Sequence, residues 1–181
     1  MGEDCRFSAE WLKNQGIFVG ETLGGEDCFF PDKTVSRGEF VAMLVKLLDI
    51  SMDAGESANI SEDMPQWLRP YLNAAMRSGL TADLPKLTAE TMSQPITGEE
   101  VAVMLQNALD LAVPQQALET AMQNPLELEE WAAADVYTMA QYDISLTPGE
   151  ALTRGEAAQV LYQVNYLSIV APGAAVLRYQ N

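Results

Sequence analysis

Three observations predict an all-α fold with very short extended segments, built as three helix-loop-helix repeats in a pseudo-threefold bundle. The same capped amphipathic helix is written three times. A second helical pattern precedes each copy. Each helix carries a single apolar stripe, so one unit cannot bury its core alone.

The capped helix defines the repeat. Ser36 stands as an N-cap and Glu39, three residues on, completes a capping box. Phe40, Met43, Leu44, Leu47 and Leu48 then follow at one-face helical spacing. From Thr97 the box closes at Glu100, and Val101, Met104, Leu105, Ala108 and Leu109 take the same offsets. From Thr153 it closes at Glu156, followed by Ala157, Val160, Leu161 and Val164. Successive caps lie 61 and 56 residues apart, so each unit holds more than this one helix.

Residues 4 to 17 read as the opening helix of the first unit, ending at the turn Gly16-Ile17. Gly24-Gly25 marks a loop, and Phe29 to Asp32 is a short extended piece. Residues 51 to 59 have linker composition. The second unit opens at Pro65 and Trp67, with Leu68, Tyr71, Leu72, Ala75 and Met76 on its apolar face, and ends at Gly79-Leu80. A polar loop from Thr81 to Gln94 leads to the second cap. Residues 112 to 126 form a partly helical connector, and Trp131 opens the third unit in the same register as Trp67. The units are repeat 1 over 1–50, repeat 2 over 60–111 and repeat 3 over 127–168, with a tail at 169–181, all forming one compact domain. Repeat 1 lacks the tryptophan turn and is expected to be incomplete at its start, which marks the chain as a piece of a longer polypeptide.

Composition excludes several functions. A net charge of −16 argues against nucleic acid. The absence of histidine removes the commonest general base and metal ligand. No apolar run is long enough to span a membrane, and no cofactor or metal motif is present. The acidic groups Glu62-Asp63 and Glu127 to Glu130 lack EF-hand spacing and read as solvated surface. Glu39, Glu100 and Glu156 are explained by capping, so no catalytic role is expected. Cys5 and Cys28 either form a disulfide tying the first loop to its helix, contributing about 3 kcal/mol, or remain two buried thiols.

Arg37 and Arg154 occupy the first helical position, where the dipole disfavours a cation. A guanidinium beside helix-start amides, at Ser36-Arg37 and Thr153-Arg154, is a natural anion site; the alternative is pairing with a nearby carboxylate. Trp67 and Trp131 are candidates for sugar stacking, although packing into the core at the helix starts is the stronger expectation. Gly38 and Gly155, poor helix formers, imply close approach of a ligand or of a neighbouring helix.

The pattern formed by these residues resembles that of S-layer homology domains in tandem. Its carriers are Gly16-Ile17, Phe29, Pro31 and Val35-Ser36-Arg37-Gly38-Glu39 in the first unit. In the second they are Trp67, Gly79-Leu80 and Ile96-Thr97-Gly98-Glu99-Glu100, and in the third Trp131, Ile144 and Leu152-Thr153-Arg154-Gly155-Glu156. The resemblance implies a three-pronged spindle. It also implies non-covalent attachment of a surface protein to the secondary cell-wall polysaccharide, or a peptidoglycan-linked glycan, of a Gram-positive bacterium. Such a protein lies outside the cell on the wall, with its secretion signal expected upstream. The family's arginine for pyruvylated sugar maps to Arg37 and Arg154, while Gly98 departs from the pattern and the third unit lacks Phe-x-Pro. With Phe29-Phe30-Pro31 assigned to wall its pocket, Arg37 is expected to be the principal site and Arg154 the second. The competing reading is a drifted triplet acting as a structural or protein-interaction module without glycan binding.

Overall fold

The computed structural model describes residues 3–18, 21–23, 26–52, 60–84 and 86–170. The chain is helical: α1 (Glu3–Asn14), α2 (Arg37–Leu47), α3 (Arg69–Arg77), α4 (Ala89–Ser93), α5 (Gly98–Leu109), α6 (Gln115–Gln123), α7 (Glu130–Gln141) and α8 (Arg154–Val170). One antiparallel pair, β1 (Glu21–Leu23) with β2 (Glu26–Cys28), joins α1 to α2. Three departures from the sequence reading stand out. The hairpin lies in the segment read as a loop, α4 lies within the polar loop, and α8 continues to Val170 into the expected tail. The proposed Cys5–Cys28 bridge lies outside the residues whose side chains are described.

All three predicted caps form. Ser36 Oγ accepts from the Glu39 amide at 3.2 Å, while the Glu39 carboxylate accepts from the Ser36 amide at 2.8 Å. The carboxylates of Glu100 and Glu156 accept from the amides of Thr97 and Thr153 at 3.1 and 2.8 Å. The opening helices also end alike. Gly16 and Gly79 take positive φ, and the following residue donates back into the helix, Ile17 to the Leu12 carbonyl and Leu80 to the Ala75 carbonyl. Asp143 fills this position in the third unit with φ 59°, and Ile144 donates to Met139 in the same way.

The caps meet at the centre. Thr34 bridges Thr153, Ser36 bridges Pro95, and Thr97 bridges Ala151. The Val35 amide donates to the Leu152 carbonyl at 2.9 Å, Leu152 donates to Ile96 at 2.8 Å, and Ile96 donates to Val35 at 2.9 Å. This is a closed ring of three hydrogen bonds about the pseudo-threefold axis. A second cycle surrounds it: the Arg37, Gly98 and Arg154 amides donate to the carbonyls of Gln94, Glu150 and Lys33. Val35, Ile96 and Leu152 are all buried.

Helix packing follows the same rotation. Each opening helix lies on the capped helix of the preceding unit: α3 on α2, α7 on α5, and α1 on α8. The capped helices are consequently buried on more than the single predicted face. Val41, Ala42 and Val45 join Phe40 and Leu44 in the core, as Ala102 and Val103 join Met104 and Leu105.

Because the caps are joined in one ring, damage to one propagates to all. Thr97→Ala should destabilise the whole domain by about 1 kcal/mol, with a single cooperative unfolding transition. Differential scanning calorimetry checks this; separate transitions for the units would contradict the shared core.

Candidate glycan-binding grooves

The rotation places three equivalent positions between the units, each bounded by a capped helix, the next unit's opening helix and the third unit's helix start. The sequence predicts one arginine for each of two of them. Geometry treats the two arginines very differently.

Arg37 points toward the second unit. Its Nε donates to Glu100 Oε1 at 2.6 Å, and its Nη1 donates to the Thr91 carbonyl and Gln94 Oε1 at 3.1 and 3.3 Å. Glu100 is buried, so this is a sequestered ion pair rather than a waiting anion site. Around it Leu84, Leu87 and Met92 fill the space, leaving about 40 Å³, room for no more than a few waters. Helix α4, unforeseen from sequence, supplies Met92 to this filling and the Thr91 carbonyl to the guanidinium.

Arg154 points toward the first unit and lines an open groove of about 470 Å³. Its side chain is buried among the cap segments, with Nη1 donating to the Phe29 carbonyl at 3.3 Å and the guanidinium 5.4 Å from the Phe18 ring centre. Glu39 Oε1 lies 3.9 Å from Nη2. On the opposite side Lys46 Nζ sits 5.6 Å from the centre of the Tyr71 ring, and Trp67 is half exposed. Trp67, Tyr71 and Pro70 form an aromatic and apolar bank facing two cations.

The expected placement of the aromatic wall is therefore corrected. The Phe29-Phe30-Pro31 segment does not wall Arg37. The rotation carries it to Arg154, where Phe29 accepts from the guanidinium and the Pro31 carbonyl accepts from the Gly155 amide at 2.9 Å. The helix-start amides are also not available to an anion: those of Ser36 and Thr153 serve their capping boxes, and those of Arg37 and Arg154 serve the outer cycle. What remains for a ligand is side-chain charge. Sequence reasoning missed Lys46 and Tyr71. Lys46 breaks the apolar run of α2, which is the signal that was there to read, whereas Tyr71 reads in the sequence only as one member of the α3 apolar stripe.

The third position is built around Glu156. Its arginine is replaced by Gly98, whose Cβ, if present, would stand 2.5 Å from the Thr147 carbonyl oxygen. The short α7–α8 loop packs directly against Gly98 where the arginine side chain would start, and Glu99 Oε1 accepts from the Gly149 amide at 2.7 Å. Gly38 likewise marks the approach of a neighbouring element, since a Cβ there would meet Leu68 Cδ2 at 2.7 Å. Core packing of the tryptophans does not hold: Trp67 is 52% exposed and Trp131 39% exposed. Trp131 is surrounded by Glu127, Leu128, Glu129 and Glu130, far in character from an anion site. Among the described residues no helix is long and apolar enough to cross a membrane, and no group of acidic or cysteine side chains could hold a metal ion.

No family model matches the chain. It is 28% identical over 84% of its length to Exoglucanase XynX of Acetivibrio thermocellus and 26% identical over 84% of its length to Amylopullulanase of Thermoanaerobacterium thermosulfurigenes. It spans 14% and 8% of the length of these relatives.

Two substitutions check this geometry. Gly98→Ala should destabilise the domain by about 2 kcal/mol, because a backbone oxygen rather than a flexible side chain blocks the new methyl; urea unfolding measures it. On α7, Asp135 occupies the repeat position of Tyr71, and burial, reinforced by the Asp83 carboxylate, pushes its pKa up to about 6. The folded state thus holds a proton that the unfolded chain releases from about 3.8 upward, so stability falls as pH rises from there to about 6. Asp135→Asn should stabilise the protein by about 1 kcal/mol at neutral pH, after allowance for solvent screening, and by almost nothing near the lower value. Equal gains at both pH values would refute the assigned cause.

Proposed function

We propose that this chain is a non-catalytic anchoring module of the S-layer homology type, which holds a larger surface protein on the cell envelope by binding an anionic secondary cell-wall polysaccharide. The Arg154 groove is the binding site in this reading. The carrying observation is its constitution: a buried guanidinium and the Lys46 ammonium opposite an exposed aromatic bank, in a space large enough for a sugar. A planar guanidinium suits a carboxylate, such as that of a pyruvyl acetal, and the Trp67 and Tyr71 rings suit the apolar face of a pyranose.

The relatives support an accessory role. Two proteins with different enzyme names share a stretch of similar size with this chain, which makes that stretch a poor candidate for the seat of either activity. An extracellular, wall-associated location follows from the same reading, and the remainder of a longer polypeptide is the implied cargo. The net charge of −16 repels an anionic polymer at long range, but within a Debye length of about 8 Å the local cations dominate.

One observation favours the drifted, protein-interaction alternative: two of the three positions cannot serve an anion, one being filled and the other having lost its arginine. The two readings part on binding. The protein should sediment with purified cell-wall sacculi and lose this on hydrofluoric acid stripping of the polymer. A charge-assisted bond is worth about 1.5–3 kcal/mol, so Arg154→Ala should weaken binding of a pyruvylated cell-wall saccharide roughly 10- to 100-fold. Arg37→Ala should leave affinity unchanged while lowering stability by about 3 kcal/mol, since it strands the buried Glu100 carboxylate. Calorimetric titration of both variants decides it. Unchanged affinity in a folded Arg154 variant would favour the interaction-module reading.

A further inference from the structure

The Glu156 position is open, not vestigial. It encloses about 460 Å³, close to the volume of the Arg154 groove, yet its chemistry is inverted. Its charged lining residues are Asp143 and Glu156, and the helix start that would deliver an arginine carries Gly98 instead. The Gln159 and Gln163 amides lie along the same wall. An aromatic bank is again present. Phe7 is 58% exposed and stands edge-on to Tyr162 at 5.4 Å between ring centres, and Tyr162 in turn meets Trp11 at 5.5 Å. This stack fixes an apolar ring at the groove mouth, the position held by Pro70 in the Arg154 groove.

A ligand suited to this lining carries positive charge for the carboxylates, hydroxyls for the amides and an apolar face for Phe7. We propose that the Glu156 groove is a second glycan subsite, which takes a sugar residue bearing a free, protonated amine. The choice of a saccharide over a lysine-bearing peptide rests on the anchoring function proposed above. The domain then grips two chemically distinct parts of the wall, an acidic sugar through Arg154 and a basic sugar through Glu156 and Asp143.

Both carboxylates can be neutralised with little disturbance. Glutamine is compatible with a capping box at position 156, and asparagine tolerates the positive φ at 143. The full chain is titrated in mildly acidic buffer with a short glucosamine oligosaccharide, its fully N-acetylated counterpart and a lysine oligopeptide. Glucosamine should bind about tenfold or more tighter than the acetylated form, and the double variant Asp143→Asn/Glu156→Gln should lose that advantage. A control, Glu129→Gln/Glu130→Gln, removes equal charge elsewhere and should bind as the parent does. Equal binding of the acetylated oligosaccharide, equal loss in the control, or binding of the lysine peptide as tight as glucosamine would overturn the assignment. Should glucosamine bind as expected while the pyruvylated saccharide does not, the acidic-polymer reading fails and this subsite stands. The reverse outcome sinks the subsite and leaves the anchoring site intact.

Discussion

The closed ring of hydrogen bonds among Val35, Ile96 and Leu152 is the constraint on which the rest of the structure depends. Each of these residues donates to one unit and accepts from the other, so none of the three segments can be satisfied unless all are present. In a buried setting an unmade backbone bond costs about 1–3 kcal/mol, which makes partial assembly unfavourable at the very point where the three helices start. The outer cycle through the Arg37, Gly98 and Arg154 amides doubles the constraint and fixes the rotation of each helix about its axis.

That rotation decides what the grooves contain. The side chain at the first helical position of one unit projects onto the third position of the helix in the following unit, so Arg37 meets Glu100 and Arg154 meets Glu39. The outcome differs because the surroundings differ. Beside Arg37, the second-unit loop carries α4 and packs Leu84, Leu87 and Met92 around the pair. Beside Arg154, the first unit contributes the Phe18 ring and the Phe29 carbonyl, and the pair lines an open groove. One repeated motif has thus become an ion pair packed against α4, a buried cation lining an open groove and, at Gly98, a helix start without a side chain that the Thr147 backbone approaches closely.

The parts of this fold readable in the sequence are the local ones. Caps, Schellman-type turns and apolar stripes are set by residues within about a turn of each other, and the helices at 37–47, 98–109 and 130–141 follow from them. The rotation is set by contacts across about 60 to 120 residues and leaves no local signature, which is why the Phe29-Phe30-Pro31 segment was assigned to its own unit's arginine. Helix α4 was hidden because its capping residues, Thr88 and Thr91, lie in a stretch with one buried apolar residue, Met92. Of the main groove, Arg154 and Trp67 were legible as residue types, but only the helix packing brings them to the same cavity as Lys46 and Tyr71.

The most direct test of the account is native-state hydrogen exchange at the three ring amides. If the ring is a single cooperative hub, the Val35, Ile96 and Leu152 amides should be among the slowest in the protein, exchange with the same free energy as global unfolding, and shift together in denaturant. An amide among the three that exchanges through a smaller local opening while the other two remain protected would contradict the ring as the organising element.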